Sequence, residues 1–482
     1  MTFQIPNSKY LKFQIFPPSS LVIRHPNFAL PSYDAPPISS PPLRIPTAAK
    51  SIALRRRSSL RSESSVDKSS WCPFTTSCLR DPSFGLRFCG TLALLFLLTS
   101  LLTACATPPG VIFPPLADAP RWPPPPDQPR ITYVGQLRTD QDLKPGVNGF
   151  DNLGQALFGK NDAHSVLSPL ALCTDGHDRL FVADSNAQLV HVFNFNTRAY
   201  ATWTPGKKQP AFAQPVAVAW DPIHQHLLVS DSVAAAVLVF DTTGNYLGHL
   251  GGAEADKIFQ RPVGIAIDNT PAHAGRIFVA DAKLHQLLVF SPDGLLTSRV
   301  GQRGDGPGEF NFPTYLAIDP DGTLYVSDSL NFRIQQFDPE LHFLRQIGKK
   351  GDMPGYFAQP KGVATDSQGH LYVVDSQFEN VQVYNNQGQV LMDLGQEGTA
   401  PGQFWLPAGI CIAPLPPGAP PAPSIAGAPP AQQLGNAGVP PAGQSGNAAI
   451  PPAKATDRIY VADSYNRRIQ VFDYQPLPED AP

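Results

Sequence analysis

The stretch that decides the fold is LYVSDSLNFRIQQF, residues 324–337, together with its near copy IYVADSYNRRIQVF at residues 459–472. Four further copies follow the same pattern: LFVADSNAQLVHVF from residue 180, LLVSDSVAAAVLVF from 227, IFVADAKLHQLLVF from 277 and LYVVDSQFENVQVY from 371. In each copy an aspartate follows a short apolar run, and an aromatic residue stands nine positions later. The repeated aspartates are Asp184, Asp231, Asp281, Asp328, Asp375 and Asp463.

The spacing of these copies indicates six equal structural units. Successive aspartates are 47, 50, 47, 47 and 88 residues apart, and the last interval equals 47 plus an insertion of 41. Upstream of each aspartate lies an apolar segment that begins with proline, such as PTYLAID at 313–319, and downstream lies a third, such as FLRQIG at 343–348. Each unit predicts four short strands separated by turn residues. Repeats of about 40–50 residues with four strands are typical of β-propellers. The sequence therefore predicts an all-β, six-bladed β-propeller with four-stranded antiparallel blades.

The repeat also resembles a known family. The pattern P-x-G-[VI]-A-x-D followed by [LI]-Y-V-[AS]-D-S-x-N-x-R-I-Q-x-F resembles the NHL repeat of bacterial propeller lipoproteins. It is nearly complete in the fourth unit, with Asn331 and Arg333, and in the sixth, with Asn466 and Arg468, but degenerate in the second. The resemblance covers roughly residues 165–475 and implies the same propeller.

Two features of the propeller region, residues 130–475, concern its last unit. The sixth repeat stops at Tyr474 without a fourth apolar segment, and RITYVGQL at 130–137 has the pattern of the strand that is missing. A fourth strand supplied from the N-terminal side would tie the first blade to the last and close the ring. Residues 414–454 are rich in Pro, Ala and Gly and nearly uncharged, which predicts a disordered insertion within blade six.

The N-terminal region predicts an exported, lipid-anchored protein. Residues 1–80 are rich in Pro, Ser and Arg and are predicted to be disordered or mis-annotated. Residues 81–104 read as a signal segment that ends in Leu-Thr-Ala before Cys105, which resembles a lipobox and implies acylation of that cysteine. A membrane helix over 88–105 is the alternative. Residues 105–129 are proline-rich and predict an extended stalk. The expected location is the bacterial cell envelope, at the periplasmic face of the outer membrane.

Charge and cysteine content narrow the classes of function. Residues 105–482 carry 24 Lys and Arg against 35 Asp and Glu, so their net charge is 24 − 35 = −11, which argues against nucleic-acid binding. The six cysteines have no zinc-site spacing, and no cofactor or metal is predicted. Cys173 and Cys411 occupy the same repeat position as alanine in the other units. They are expected to be buried small residues, and whether they pair stays open.

No catalytic group is identified from the sequence. The segments that would line the channel hold no His, Asp or Glu just after the proline, and the repeated aspartates fit turn capping better than calcium binding. Aromatic and arginine side chains in the loops and turns of one face instead predict a protein-recognition surface. The alternative for the consensus Asn and Arg is that they tie neighbouring blades together. The residues assigned to this surface are Arg261, Tyr315, Asn331, Phe332, Arg333, Lys361, Phe378, Trp405, Tyr465, Asn466, Arg467 and Arg468.

The sequence thus favours a non-enzymatic binding or scaffold module, lipid-anchored to the envelope, that recognises a protein or peptide partner and has a monomeric propeller. A propeller lyase or hydrolase acting at the central channel is the alternative, so catalysis stays uncertain. An RNA-binding or ubiquitin-ligase propeller fits less well, because the domain is acidic and no RING-type cluster exists.

Overall fold

The computed structural model describes residues 110–144, 164–252, 255–415 and 456–476. The N-terminal segments 1–80 and 81–104, Cys105 and the insertion between Leu415 and Thr456 lie outside the described residues, so the predictions made for them stay predictions. Among the described residues, no helix is long and apolar enough to cross a membrane. Three short helical turns occur in the part of the chain that the structure describes: Asp140–Leu143, Ala255–Ile258 and Ser329–Asn331.

Six antiparallel sheets form a six-bladed β-propeller, which confirms the predicted fold class. Five sheets are contiguous in sequence. Blade 1 comprises β3 Pro169–Thr174, β4 Arg179–Asp184, β5 Leu189–Asn194 and β6 Tyr200–Trp203. Blade 2 comprises β7 Pro215–Asp221, β8 His226–Asp231, β9 Ala236–Phe240 and β10 Tyr246–His249. Blade 3 comprises β11 Pro262–Asp268, β12 Arg276–Asp281, β13 Gln286–Phe290 and β14 Leu296–Val300. Blade 4 comprises β15 Pro313–Ile318, β16 Leu324–Asp328, β17 Arg333–Phe337 and β18 Phe343–Ile347. Blade 5 comprises β19 Pro360–Thr365, β20 Leu371–Asp375, β21 Asn380–Tyr384 and β22 Val390–Leu394.

Blade 6 is assembled from both ends of the described chain. Its first three strands are β23 Pro407–Pro414, β24 Asp457–Asp463 and β25 Arg468–Tyr474. Its fourth strand is β2 Ile131–Leu137, which pairs antiparallel with β25. A fifth, two-residue strand, β1 Arg121–Trp122, adds to the outer side of β2. The inner strand of each blade is the one that begins with proline: β3, β7, β11, β15, β19 and β23. Each inner strand contacts that of the next blade, and β23 contacts β3, so the ring is closed.

The repeat pattern explains why these strands pack as they do. Apolar residues on both faces of the second and third strands of each blade are buried between neighbouring sheets, so the core lies between blades. In blades 2 to 6 a phenylalanine stands three residues before the inner-strand proline, from Phe212 to Phe404. It is buried, and its ring contacts the closing aromatic of the same blade. Phe310 and Phe337 illustrate this contact, with ring centroids 5.9 Å apart.

All six inner strands begin with proline on one face of the ring and end on the other, so the two faces have different loops. We call the face where the inner strands begin the upper face. It also carries the turns after the repeated aspartates, since Pro313 pairs with Asp328 and equivalent pairs occur in every blade. The lower face is where the inner strands end.

The extended stalk predicted for residues 105–129 is wrong for its described part, Gly110–Pro129. Phe113 packs against Phe195 of blade 1 with ring centroids 6.1 Å apart, and the guanidinium of Arg198 donates to the Gly110 carbonyl at 2.6 Å. Further along, Trp122 meets Phe472 of blade 6 edge-on at 5.7 Å. We call residues 110–130 the strap. Its apolar side chains give it a surface to bury, which proline content alone does not reveal.

Candidate functional site

The repeated aspartates organise the upper face from inside. All six are buried, with at most 1% of their surface exposed. Asp231 shows the pattern: its carboxylate accepts N–H bonds from Ala213 and Gln214 in the incoming loop and from Val233 and Ala234 in its own turn, at 2.6–3.2 Å. Each aspartate therefore fixes the loop that enters its blade to the turn between the second and third strands.

Arg333 is not part of an accessible surface, which corrects the sequence-based assignment. Only 5% of the residue is exposed, and Nε donates to Asp328 at 2.9 Å. Its other nitrogens donate to the backbone carbonyls of Asp305, Gly306 and Glu309, at 2.6–2.9 Å. Asn331 also points inward, donating to Asp328 and to the Gly304 carbonyl, both at 2.8 Å. These side chains hold the loop that enters blade 4.

Arg468 and Asn466 repeat this arrangement in blade 6, so they too are removed from the accessible surface. Arg468 is 1% exposed and donates to Asp463 at 2.6 Å and to the carbonyls of Thr399, Ala400 and Gln403, at 2.7–3.1 Å. Asn466 donates to Asp463 and to the Gly398 carbonyl, both at 2.9 Å. The consensus Asn and Arg thus contact the loop that enters their own blade, and they hold that loop rather than form an accessible surface.

Four of the predicted surface residues remain well exposed on the upper face: Arg261, Trp405, Tyr465 and Arg467. Trp405 is 40% exposed and Tyr465 59%, and their rings lie 4.4 Å apart. Phe332 and Phe378 are half-buried on the same face, and the Lys350 ammonium lies 5.0 Å from the Phe332 ring centroid.

Sequence reasoning missed several exposed apolar side chains on the upper face. The residue two positions after each repeated aspartate is exposed in all six blades. It is apolar or aromatic in three of them: Val233 and Leu330, which sequence reasoning missed, and Tyr465, which it assigned to the surface. Fixed spacing from the aspartate was the signal that could have found this position. The loops before the inner strands add Leu167, Met353 and Leu406, which are 39–60% exposed.

The upper mouth of the channel holds Lys361, half-buried at the second position of β19. Burial lowers the pKa of its ammonium, and the nearby carboxylate of Asp375 opposes that shift. The other blades have Leu170, Val216, Val263, Thr314 and Ala408 at this position. Lys361 is therefore the one cation among the described residues of that ring.

Tyr315 lies inside the channel rather than on the outer surface. Its hydroxyl donates to the carbonyl of Leu170 at 3.0 Å, and blade 1, which carries Leu170, stands opposite blade 4 in the ring. The other five blades have alanine or glycine at this position: Ala171, Ala217, Gly264, Gly362 and Gly409. Because small residues surround it, the tyrosine side chain can cross the channel. Burial raises the pKa of its hydroxyl, so the group stays a neutral donor.

Below Tyr315 the inner strands enclose a cavity of about 290 Å³. The side chains that line it are mostly apolar, with Trp220, Ile265 and Ile412 among the larger ones, and they include the thiols Cys173 and Cys411. It continues into a wider lower mouth that is lined in part by Asp319, Asp366 and Asp457.

The acidic groups of the lower face are held in turns. Asp366 accepts bonds from His370 and from the hydroxyl of Tyr372, at 2.9 and 3.0 Å, and Asp457 accepts one from Ser367 at 2.7 Å. Among the described residues, no group of three or more His, Cys, Asp or Glu side chains is placed to hold a metal ion.

A family model supports the architecture. A family model described as a six-bladed beta-propeller matches residues 263–349, which span blades 3 and 4. No curated protein matches the sequence. Solved structures similar to the chain include a protein of unknown function from Bacteroides thetaiotaomicron, at 15% identity over 65% of this chain and 71% of that chain, with a TM-score of 0.44. Virginiamycin B lyase from Staphylococcus aureus matches at 12% identity over 64% of this chain and 96% of that chain, with a TM-score of 0.40. An auxiliary nutrient binding protein from Bacteroides thetaiotaomicron matches at 11% identity over 64% and 69%, with a TM-score of 0.43. With TM-scores below 0.5, these three similarities support no conclusion about this chain.

Proposed function

We propose that this protein is a binding or scaffold module that recognises a protein or peptide partner through the upper face of its propeller. The observation that carries the proposal is the set of apolar and aromatic side chains exposed there, above all Trp405, Leu406 and Tyr465. Contiguous exposed apolar groups of this kind are characteristic of interaction sites.

The form of the upper face favours a macromolecular partner over a small ligand. Tyr315 crosses the channel below its upper mouth, so recognition there takes place on a broad surface rather than in a deep cavity. Aromatic residues, methionine and arginine are enriched at the centres of protein interfaces, and this face combines Trp405, Tyr465, Met353 and Arg467.

The proposal includes attachment to a bacterial envelope as an NHL-type lipoprotein, with lipid on Cys105. It is supported by the apolar run that ends in Leu102-Thr103-Ala104 before that cysteine. A Cys105→Ser chain expressed in bacteria should remain unprocessed and should not incorporate labelled palmitate. Labelling equal to that of the unaltered chain would end this part of the proposal.

The binding face is tested by photo-crosslinking in the cells that make the protein. A photoreactive phenylalanine analogue at Val233 or Tyr465 should trap one shared partner, and the crosslink from Val233 should disappear when Trp405→Ala and Leu406→Ala are added. The matched control places the analogue at Ile223, an equally apolar residue that is 50% exposed in a turn of the lower face. Crosslinks that are equal from Ile223, or that survive the double substitution, would contradict recognition by the upper face.

A further inference from the structure

On the upper face, the turn of one blade meets the loop that enters the next. In blades 1 and 3 the fourth residue after the repeated aspartate makes this contact. Gln188 donates from Nε2 to the Ala213 carbonyl at 3.0 Å, and the Phe312 N–H donates to Nδ1 of His285 at 3.2 Å. We call this meeting of turn and loop the seam between two blades.

A second repeated position lies in the incoming loop itself. Arg303, Lys350 and Glu397 each form a backbone bridge with the buried phenylalanine of their own loop, so they are equivalent in blades 4, 5 and 6. At the seam between blades 4 and 5 this loop position reaches the turn position, because the Lys350 ammonium lies 5.0 Å from the ring centroid of Phe332. The chain thus supplies a cation of its own at that seam.

The seam between blades 5 and 6 has a carboxylate at both positions. Glu379 stands where blade 4 has Phe332, and Glu397 stands where blade 5 has Lys350. Glu379 is 9% exposed, and its Oε2 has no hydrogen-bond partner among the described residues, whereas Glu397 is exposed. Burial raises the pKa of Glu379 and the nearby Glu397 raises it further, against a hydrogen bond from the backbone of Leu406. We call Glu379 and Glu397 the acidic seam.

The acidic seam adjoins the exposed aromatic pair of the upper face. Leu406, whose backbone bonds to Glu379, follows Trp405, and the Tyr465 N–H donates to the Trp405 carbonyl at 3.1 Å. An exposed carboxylate beside aromatic rings suits a lysine or arginine side chain, because these cations are attracted to ring faces as well as to carboxylates. A cation here would also offset a buried negative charge, which is costly while it has no partner.

We propose that the partner recognised by the upper face inserts a lysine or arginine side chain at the acidic seam. The cation bonds to the exposed carboxylate of Glu397, lies against the Trp405–Tyr465 pair and offsets the charge of Glu379 through space. Apolar residues beside it in the partner segment contact Leu406. This site rests on the proposed function, to which it adds the chemistry of the segment that is recognised.

The test uses the immobilised full chain and phage-displayed random peptides. Peptides that the unaltered chain selects should carry lysine or arginine next to apolar residues, and Trp405→Ala combined with Leu406→Ala should abolish the selection. Glu397→Lys introduces the residue that blade 5 has at this position, so the chain then supplies the cation itself. This variant should select apolar peptides without an excess of lysine or arginine.

Affinities of one selected synthetic peptide separate the two carboxylates. Glu397→Gln should weaken binding roughly 10- to 100-fold, because a hydrogen bond to a charged group is lost. Glu379→Gln should weaken it by less, about 3- to 10-fold, because this carboxylate acts through space. Glu340→Gln is the matched control, since it removes the same charge from an exposed turn of the lower face, and it should leave the affinity unchanged.

Thermal unfolding tests the acidic seam without a partner. Glu379→Gln and Glu397→Lys should each raise the thermal midpoint, because each removes the repulsion between two carboxylates, whereas Glu340→Gln should not. Blade 1 has Gln188 at the position of Glu379, so glutamine is compatible with this turn.

The outcomes distinguish this site from the proposed function. Selected peptides that need Trp405 and Leu406 but show no excess of lysine or arginine, or that keep this excess with Glu397→Lys, would overturn the site and leave the proposed function standing. Midpoints that stay equal or fall in both seam variants would do the same, since the chain would then already compensate these carboxylates. If no selected peptide depended on Trp405 and Leu406, the proposed function itself would fail, and the site with it.

Discussion

Blades 4 and 6 contain the same polar network but are built from the chain in different ways. In blade 4, Arg333 donates to Gln346 at 2.9 Å, and both belong to one contiguous sheet. In blade 6, Arg468 donates to Gln136 at 3.0 Å, and that glutamine lies on β2, 332 residues away in sequence. An interaction that is local in one blade thus joins the two ends of the ring in the other. The comparison shows how a repeated contact can acquire a second role, ring closure, without any change of residue types.

Removing the distant strand should have the largest effect. A chain lacking residues 106–142 loses β2, leaves the edge of β25 unpaired and removes Gln136, one of the partners of Arg468. We expect it to aggregate or to unfold without cooperativity, measured by urea denaturation followed by circular dichroism. A chain lacking only residues 1–105 is the control and should unfold in one transition. Equal cooperativity in the two chains would mean that the ring closes without β2.

Substituting the arginines compares the two networks directly. Arg468→Met and Arg333→Met should each lower the free energy of unfolding by about 3–5 kcal/mol, because a buried carboxylate loses its charged partner. Gln136→Ala removes the contact that joins the two ends of the ring, whereas Gln346→Ala removes its local counterpart in blade 4. Each should lower the free energy of unfolding by about 1–2 kcal/mol. If closure matters, the change at Gln136 should speed unfolding more than the change at Gln346, in stopped-flow measurements. Equal unfolding rates would show that the two contacts contribute equally to the barrier to unfolding.

Blade 1 extends the comparison to pH, because His191 contacts Asp184 at 3.2 Å where blade 4 has a glutamine. Burial alone would raise the pKa of Asp184, but hydrogen bonds from His191 and from the N–H groups of Ala187 and Leu167 outweigh it and lower the pKa below 3.8. A lowered folded-state pKa contributes stability above the unfolded value of about 3.9, which is lost as pH falls through the folded-state pKa. Asp184→Asn should therefore lower the free energy of unfolding by about 1–2 kcal/mol at pH 6, and by less below pH 4. The measurement is urea unfolding over that pH range, and a cost that does not shrink on acidification would contradict it.

The smallest effect on stability is expected from shortening the loop of the first hairpin in blade 6. Blade 4 closes this hairpin with the turn Asp319–Gly322, whereas blade 6 has the segment 416–455 between the paired residues Pro414 and Asp457. Replacing that segment by Asp-Gly should change the thermal midpoint by only a few degrees, because loop length costs about 0.6 kcal/mol per doubling. A large loss of stability would show that the insertion packs on the propeller. Scanning calorimetry of both chains is sufficient.

The blades could be predicted from the sequence because a repeat records backbone pairing: the interval between aspartates, the leading proline and the closing aromatic each mark a strand end. The accessible surface could not. Arg333 and Arg468 follow the turns of the upper face, where aromatic and arginine side chains together predict a recognition surface. Their burial depends on carbonyl groups of the incoming loops, and no residue type reports where a carbonyl points. Tyr315 was misplaced for a related reason, since its position depends on the small residues of five other blades.

The strap determines how the propeller would respond to force. Tension applied upstream of Gly110 meets the contacts of Phe113 with blade 1 before those of Trp122 with blade 6, and only then reaches β2. The aromatic contacts would therefore be peeled off one after another, while the ring-closing strand stays paired. Forced unfolding is governed by the rate of crossing a barrier rather than by equilibrium stability. A strap that detaches in steps would divide an applied force over several small barriers. The pairing of β2 with β25, which closes the ring, would then be protected.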